Sequence, residues 1–148
     1  MNNIYIENGW TFAQVEFNGK KYELSNSNMF DNDVLEKLLT IILKFILNDI
    51  GREYDIWNQE SQYYIIEYIL MDGEITTKLY CSCRQYYDGI NWKNDEIKFI
   101  ENERRNLWKW VEEMFFGIYE YYENRNKEEY FSEKTIELIT KIKRYFKI

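Results

Sequence analysis

The side chains best equipped for chemistry in this chain are two cysteines, a large set of carboxylates and many aromatic rings. There is no histidine at all. That absence removes Ser/His/Asp and Cys/His nucleophilic triads and the commonest general base near neutral pH. It also removes the usual zinc and iron ligand sets. Cys81 and Cys83 are too few for a structural metal site, which needs four ligands, and they read as small residues on the core side of a strand. Carboxylates abound (Glu7, Glu16, Asp49, Glu53, Asp55, Glu60, Glu67, Asp72, Glu74), and two of them could flank a substrate as acid and base. Their spacing selects no pair. No glycine-rich phosphate loop or dinucleotide fingerprint is present. The expectation is a protein with no catalytic residues, no metal and no cofactor.

The aromatic residues are more informative. Trp108, Trp110, Phe116, Tyr119 and Tyr121 interleave with Glu112, Glu113, Glu120 and Glu123. With Leu107, Val111, Met114, Ile118 and Tyr122 turned inward on a helix, Trp108, Glu112, Tyr119 and Glu123 fall on its flank. The stretch 84–92 repeats the theme with Tyr86, Tyr87 and Trp92. Tyr and Trp bury much area at low entropy cost and are enriched at interfaces. Beside carboxylates they suit a basic protein partner. The plainer alternatives are a core helix with a solvated acidic face, and a loop that packs its rings back on the sheet.

These residues need elements to carry them. Residues 4–7 read as a short strand, and residues 10–17 alternate, with Ala13, Val15 and Phe17 on one face. Asn18-Gly19 favours a type I′ turn, and residues 20–25 return. Residues 25–32 form a polar loop. Asp33 caps a helix in which Val34, Leu35, Leu38, Leu39, Ile41, Ile42, Phe45 and Ile46 recur at helical spacing, with Glu36 completing a capping box and Gly51 as the C′ residue. Residues 52–60 read as a loop with a buried Trp57. A second hairpin follows, residues 61–71 and 74–83 around Asp72-Gly73, and residues 96–101 suggest one more short strand. Asn102 opens a helix running to about Asn124, and Ser132 caps the last one. The expected class is α+β: one antiparallel sheet from two hairpins, packed against about three helices, in a single domain over residues 1–148.

Composition sets the setting. Apolar residues are 45% and charged residues 30% of the 148, which suits a folded globule. The net charge of −7 disfavours direct binding to phosphate backbones. The charge is uneven, because Lys134, Lys141, Lys143, Arg144 and Lys147 outnumber Glu133 and Glu137 near the end. No export signal is visible and the most apolar stretch is broken by charges, so neither a membrane span nor an oxidising compartment is expected; the reading is a cytoplasmic protein.

The layout resembles small bacterial immunity proteins of polymorphic toxin systems. The features that carry the likeness are the early tryptophan strand with Phe17-Asn18-Gly19-Lys20, the apolar helix opened by Asp33, and Trp57 followed by paired strands around Asp72-Gly73. The resemblance implies a non-enzymatic cytoplasmic inhibitor that binds a toxin domain through the aromatic acidic surface. A phage-encoded inhibitor of a bacterial defence system would show the same features. A small-ligand binder, with a pocket lined by Tyr and Trp between sheet and helices, is the alternative of a different kind.

Overall fold

Three two-residue turns lay out the strands. Asn8-Gly9, Asn18-Gly19 and Asp72-Gly73 all have positive φ at both positions, as a type I′ hairpin turn requires. The computed structural model describes residues 1–27, 33–48, 50–60, 62–83, 96–125 and 131–147. The first two turns join β1 (Asn2–Glu7), β2 (Trp10–Phe17) and β3 (Lys20–Ser27) into a three-stranded antiparallel sheet. The third joins β5 (Tyr63–Met71) to β6 (Glu74–Ser82) in a four-stranded sheet ordered β4-β5-β6-β7, with β4 at Gly51–Asn58 and β7 at Lys98–Asn106. Three helices follow the strands in the pattern expected: α1 (Val34–Leu47), α2 (Leu107–Asn124) and α3 (Glu133–Lys143), the last ending in a 3₁₀ turn at Arg144–Phe146.

The class is thus α+β with antiparallel sheets, and both expected hairpins form at their expected turns. They seed two sheets, however, and not one. The sheets meet at both ends of β3. Asn18 donates from Nδ2 to the Asn102 carbonyl at 2.6 Å and to Glu101 at 3.1 Å, tying the β2–β3 turn to β7. At the other end the Asn58 amide donates to Asn26 Oδ1 at 2.9 Å, tying β4 to β3.

Helix caps obey the local chemistry. Asp33 Oδ1 accepts from the Glu36 amide at 3.0 Å, and Ser132 Oγ accepts from the Thr135 amide at 3.0 Å. The α2 cap is Asn106 and not Asn102, because β7 continues five residues further than expected and passes directly into the helix. Gly51 does not end α1; Asn48 is its C-cap, and Gly51 opens β4.

One core runs through all layers. Ala13, Val15 and Phe17 of β2, Ile66, Tyr68 and Leu70 of β5, and the wide stripe of α1 are all buried. Helix α1 is buried over most of its surface because it packs on β4 and also carries α3. Among the described residues, no helix is long and apolar enough to cross a membrane.

Helix α2 crosses close over β1, and Gly117 is the point of contact. A Cβ there would collide with the Met1 carbonyl oxygen, which is backbone and cannot swing aside like a side chain. Alanine is normally the better helix residue by about 1 kcal/mol. Gly117→Ala should nevertheless destabilise the protein by about 1–3 kcal/mol through overpacking. Gly73→Ala, with open space around its Cβ, should lose only about 1–2 kcal/mol from the left-handed conformation. Urea unfolding of the two variants checks this; a Gly117→Ala protein as stable as the parent would refute the close approach.

Candidate functional site

Helix α2 presents two surfaces with different chemistry. Its buried face holds Trp110, Val111, Met114, Phe115 and Ile118. The opposite arc carries the residues read from the sequence as partner-binding. At about 100° per residue, Trp108, Glu112, Tyr119 and Glu123 fall within an arc of about 60°. They do share one flank. Trp108 is 44% exposed and Phe116, just beside the arc, is 38% exposed. Glu112, Glu120 and Glu123 are exposed along the same side. Tyr86, Tyr87 and Trp92 lie outside the described residues.

The exposed rings are braced from behind. Phe146, in the 3₁₀ turn after α3, stacks on buried Phe115 with centroids 5.5 Å apart and planes 6° from parallel. It also meets Phe116 at 4.9 Å and Trp108 edge-on at 6.2 Å. Tyr119 is less available than expected. It is half-buried, stacks on Phe115 at 5.6 Å, and has the Lys143 ammonium 5.4 Å from its ring centre. Phe146 continues the apolar spacing of Ile139 and Ile142 in the last helix, and nothing in that local pattern shows that it supports rings on another helix.

On the other side of α2, the three layers leave a half-open cavity of about 310 Å³. Val15 and Phe17 of β2, Ile66 and Tyr68 of β5, and Trp110 and Met114 of α2 form its apolar walls. The rim is charged. Arg105, at the end of β7, forms ion pairs with Glu103, at 2.8 Å, and with Glu113 of α2. These rim residues were missed in the sequence except Glu113. The available signal was the alternation Glu101, Glu103, Arg105, which puts all three on one face of a strand.

Among the described residues, two carboxylates are buried. Asp55 (β4) pairs across the sheet with Ile66 and faces the helices, whereas Glu67 (β5) pairs with Tyr54 and faces the opposite side. They sit on different faces and cannot act on one substrate together. Glu67 is held by Arg52 and accepts from the Tyr80 hydroxyl at 3.3 Å. Asp55 accepts from the Tyr68 hydroxyl at 3.1 Å. Its second oxygen and the Trp57 indole nitrogen stop short of a hydrogen bond with any described residue. Among the described residues, no three Cys, Asp or Glu side chains converge as a metal site. Cys81 is half-buried and Cys83, expected on the core face, is exposed just beyond β6; both are free.

No protein-family model, no curated protein and no solved structure matches this chain.

Burial pushes the Asp55 carboxyl up from its ordinary 3.8 to about 7, against the opposing pull of the Tyr68 hydroxyl, the nearby Trp57 indole and the charge of Lys37. Burial, with Asp55 alongside, likewise drives the Tyr68 phenol well above its usual value. A raised carboxyl pKa means the folded state prefers the proton. Its stabilising effect is complete below the unfolded pKa and is lost as pH rises from about 4 to about 7. Asp55→Asn keeps the shape and removes the titration. The variant should gain on the parent as pH rises, reaching an advantage on the order of 2–4 kcal/mol at pH 8. Urea midpoints at pH 5 and pH 8 measure it; stability differences identical at both pH values would contradict a buried, titrating Asp55.

Proposed function

We propose that this chain is a non-enzymatic protein-binding inhibitor, in the manner of an immunity protein that blocks a toxin domain, and that it docks through the exposed flank of α2. The supporting observation is the pairing of two half-exposed rings, Trp108 and Phe116, with the exposed carboxylates Glu112, Glu120 and Glu123 along one helix side. Phe146 fixes both rings before any partner arrives, which lowers the ordering entropy that binding must overcome. The carboxylates and the net charge of −7 favour a partner with a basic surface. A basic nuclease domain is such a partner, and a phage-encoded inhibitor of a defence nuclease would use the same flank. The half-open cavity behind α2 favours a small-ligand role in addition.

The test pairs capture with kinetics. The parent chain, used as bait, should retain a basic protein that a Trp108→Ala, Phe116→Ala bait does not. With that protein in hand, Trp108→Ala should weaken binding by about 30-fold or more, mainly through faster dissociation. Glu112→Lys and Glu123→Lys should mainly slow association and flatten its salt dependence. Stability should stay within about 0.5 kcal/mol for the glutamate variants, since they are exposed. If the folded variants all bind as the parent does, the docking surface is not on this flank.

A further inference from the structure

The outer face of the first sheet, turned away from the core, carries a chemistry that the α2 flank does not use. Alternation along β2 sends Ala13, Val15 and Phe17 inward and Trp10, Phe12 and Gln14 outward. Cross-strand register then puts Tyr5 of β1 and Ser25 of β3 on either side of Phe12. The Tyr5 and Phe12 rings stack, with centroids 4.4 Å apart and planes 15° from parallel. Trp10, two residues back on β2, lies 6.3 Å from Phe12 with its plane tilted by 26°. Cross-strand aromatic pairs stabilise a sheet without any ligand. Here, though, a neighbouring strand covers Phe12 with a ring on one side only. Its other side looks across to Ser25, whose side chain is too small to cover it, and Phe12 stays half-buried.

The step from a ring to a hydroxymethyl group leaves a half-open groove of about 420 Å³, where Tyr5, Phe12, Glu23 and Ser25 meet Gln59, the residue after β4. Some of its polar groups are already engaged. β1 is bulged between Asn2 and Tyr5, and there Asn3 donates to Gln14 at 3.4 Å. Gln14 in turn donates to one oxygen of Glu23 at 2.6 Å, so a chain of side chains across three strands holds that carboxylate. Others are open to a ligand. The Ser25 hydroxyl, the Gln59 carboxamide and the Tyr5 hydroxyl make no hydrogen bond with a described residue.

The lining selects among ligands. Among the described residues it contains no Lys or Arg, so an anion finds no partner. Its one carboxylate is exposed and already accepts from Gln14, and an ion pair to an exposed carboxylate contributes little. A flat heterocycle would stack on Phe12 but would meet no second ring on the Ser25 side. A pyranose suits both halves of the groove. Its C–H bonds carry slight positive charge and match the negative face of an aromatic ring. Its hydroxyls donate and accept, as do a serine hydroxyl and a carboxamide.

We propose that this groove binds an uncharged pyranose, as a unit of an oligosaccharide, stacked on the open side of Phe12 with its hydroxyls at Ser25, Gln59 and Glu23. The site shares no residue with the α2 flank, so either can fail without the other.

Four disaccharides test it: cellobiose, maltose, lactose and chitobiose. Each is titrated into the isotope-labelled chain, and the Phe12 ring protons, the Ser25 amide and the Gln59 side-chain amide are followed by NMR. At least one should give saturable shifts at all three places, with a Kd in the millimolar range or below. Methyl glucuronide and adenosine are the anionic and the flat probe. Each should bind at least about threefold more weakly than the best disaccharide. Phe12→Leu keeps an apolar side chain and removes the ring, and should weaken that disaccharide by about threefold or more. Ser25→Leu fills the groove and should weaken it by about tenfold or more. Glu137→Gln on α3 should leave its binding unchanged, and amide spectra establish that each variant is folded. The proposal fails if no disaccharide gives a saturable shift at these places, if the glucuronide or adenosine binds as tightly as the best disaccharide, or if folded Ser25→Leu protein binds as the parent does.

Discussion

Helix α2 can lie across β1 only because residue 117 has no side chain. The Met1 carbonyl occupies the space a Cβ would take, and one turn further along the Tyr121 hydroxyl accepts from the Ile6 amide at 3.0 Å. On the same helix, Trp110 reaches the second sheet and the first helix, 5.4 Å from Tyr68 and 6.1 Å from Phe45. The helix start is held as well, since the Leu107 amide donates to the Gly73 carbonyl at the β5–β6 turn. One helix face therefore touches β1, β5, α1 and a hairpin turn. That fixes which arc is left for solvent, and the exposed aromatic and acidic residues of α2 are what remains on it.

The same placement accounts for the cavity. Two twisted sheets meeting at the ends of β3 cannot close against each other along their whole length, and α2 bridges the gap without filling it. The charged rim follows from β7 being an edge strand. Charges on an edge strand discourage pairing with other chains, and here Glu103 and Arg105 of that strand reach the cavity mouth. A half-buried Arg held by two carboxylates adds little net stability; its effect is to set the geometry of the rim. Asp55 stands in contrast, because its burial opposes folding at neutral pH and no described ion pair compensates it.

Much of this was legible in the sequence where local chemistry decides the outcome. The Asn-Gly and Asp-Gly turns, the Asp33 and Ser132 caps, the apolar stripe of α1 and the flank of α2 all follow from the preferences of a few adjacent residues. Strand β4 was not legible. Its inward positions include Glu53 and Asp55, so the alternation that marks a half-buried strand was masked by carboxylates that pair or protonate only in the fold. Strand β7 was legible only at its start, because its second half, residues 102–106, is a charged edge that reads as the lead into a helix. Whether two hairpins share a sheet depends on contacts such as Asn18 with Asn102, and those are set by the whole chain. Trp110 and Trp108 look alike in sequence, yet one is 2% and the other 44% exposed, because only the packing of α2 on two layers separates them.

If α2 is what unites the two sheets, they cannot open separately. Native-state hydrogen exchange under increasing urea measures this directly, through the opening free energies of amides in β2, β5 and α2. A shared value equal to the global unfolding free energy is the expected result. Amides of β2 that exchange through a cheaper opening, while those of β5 and α2 stay protected, would contradict it.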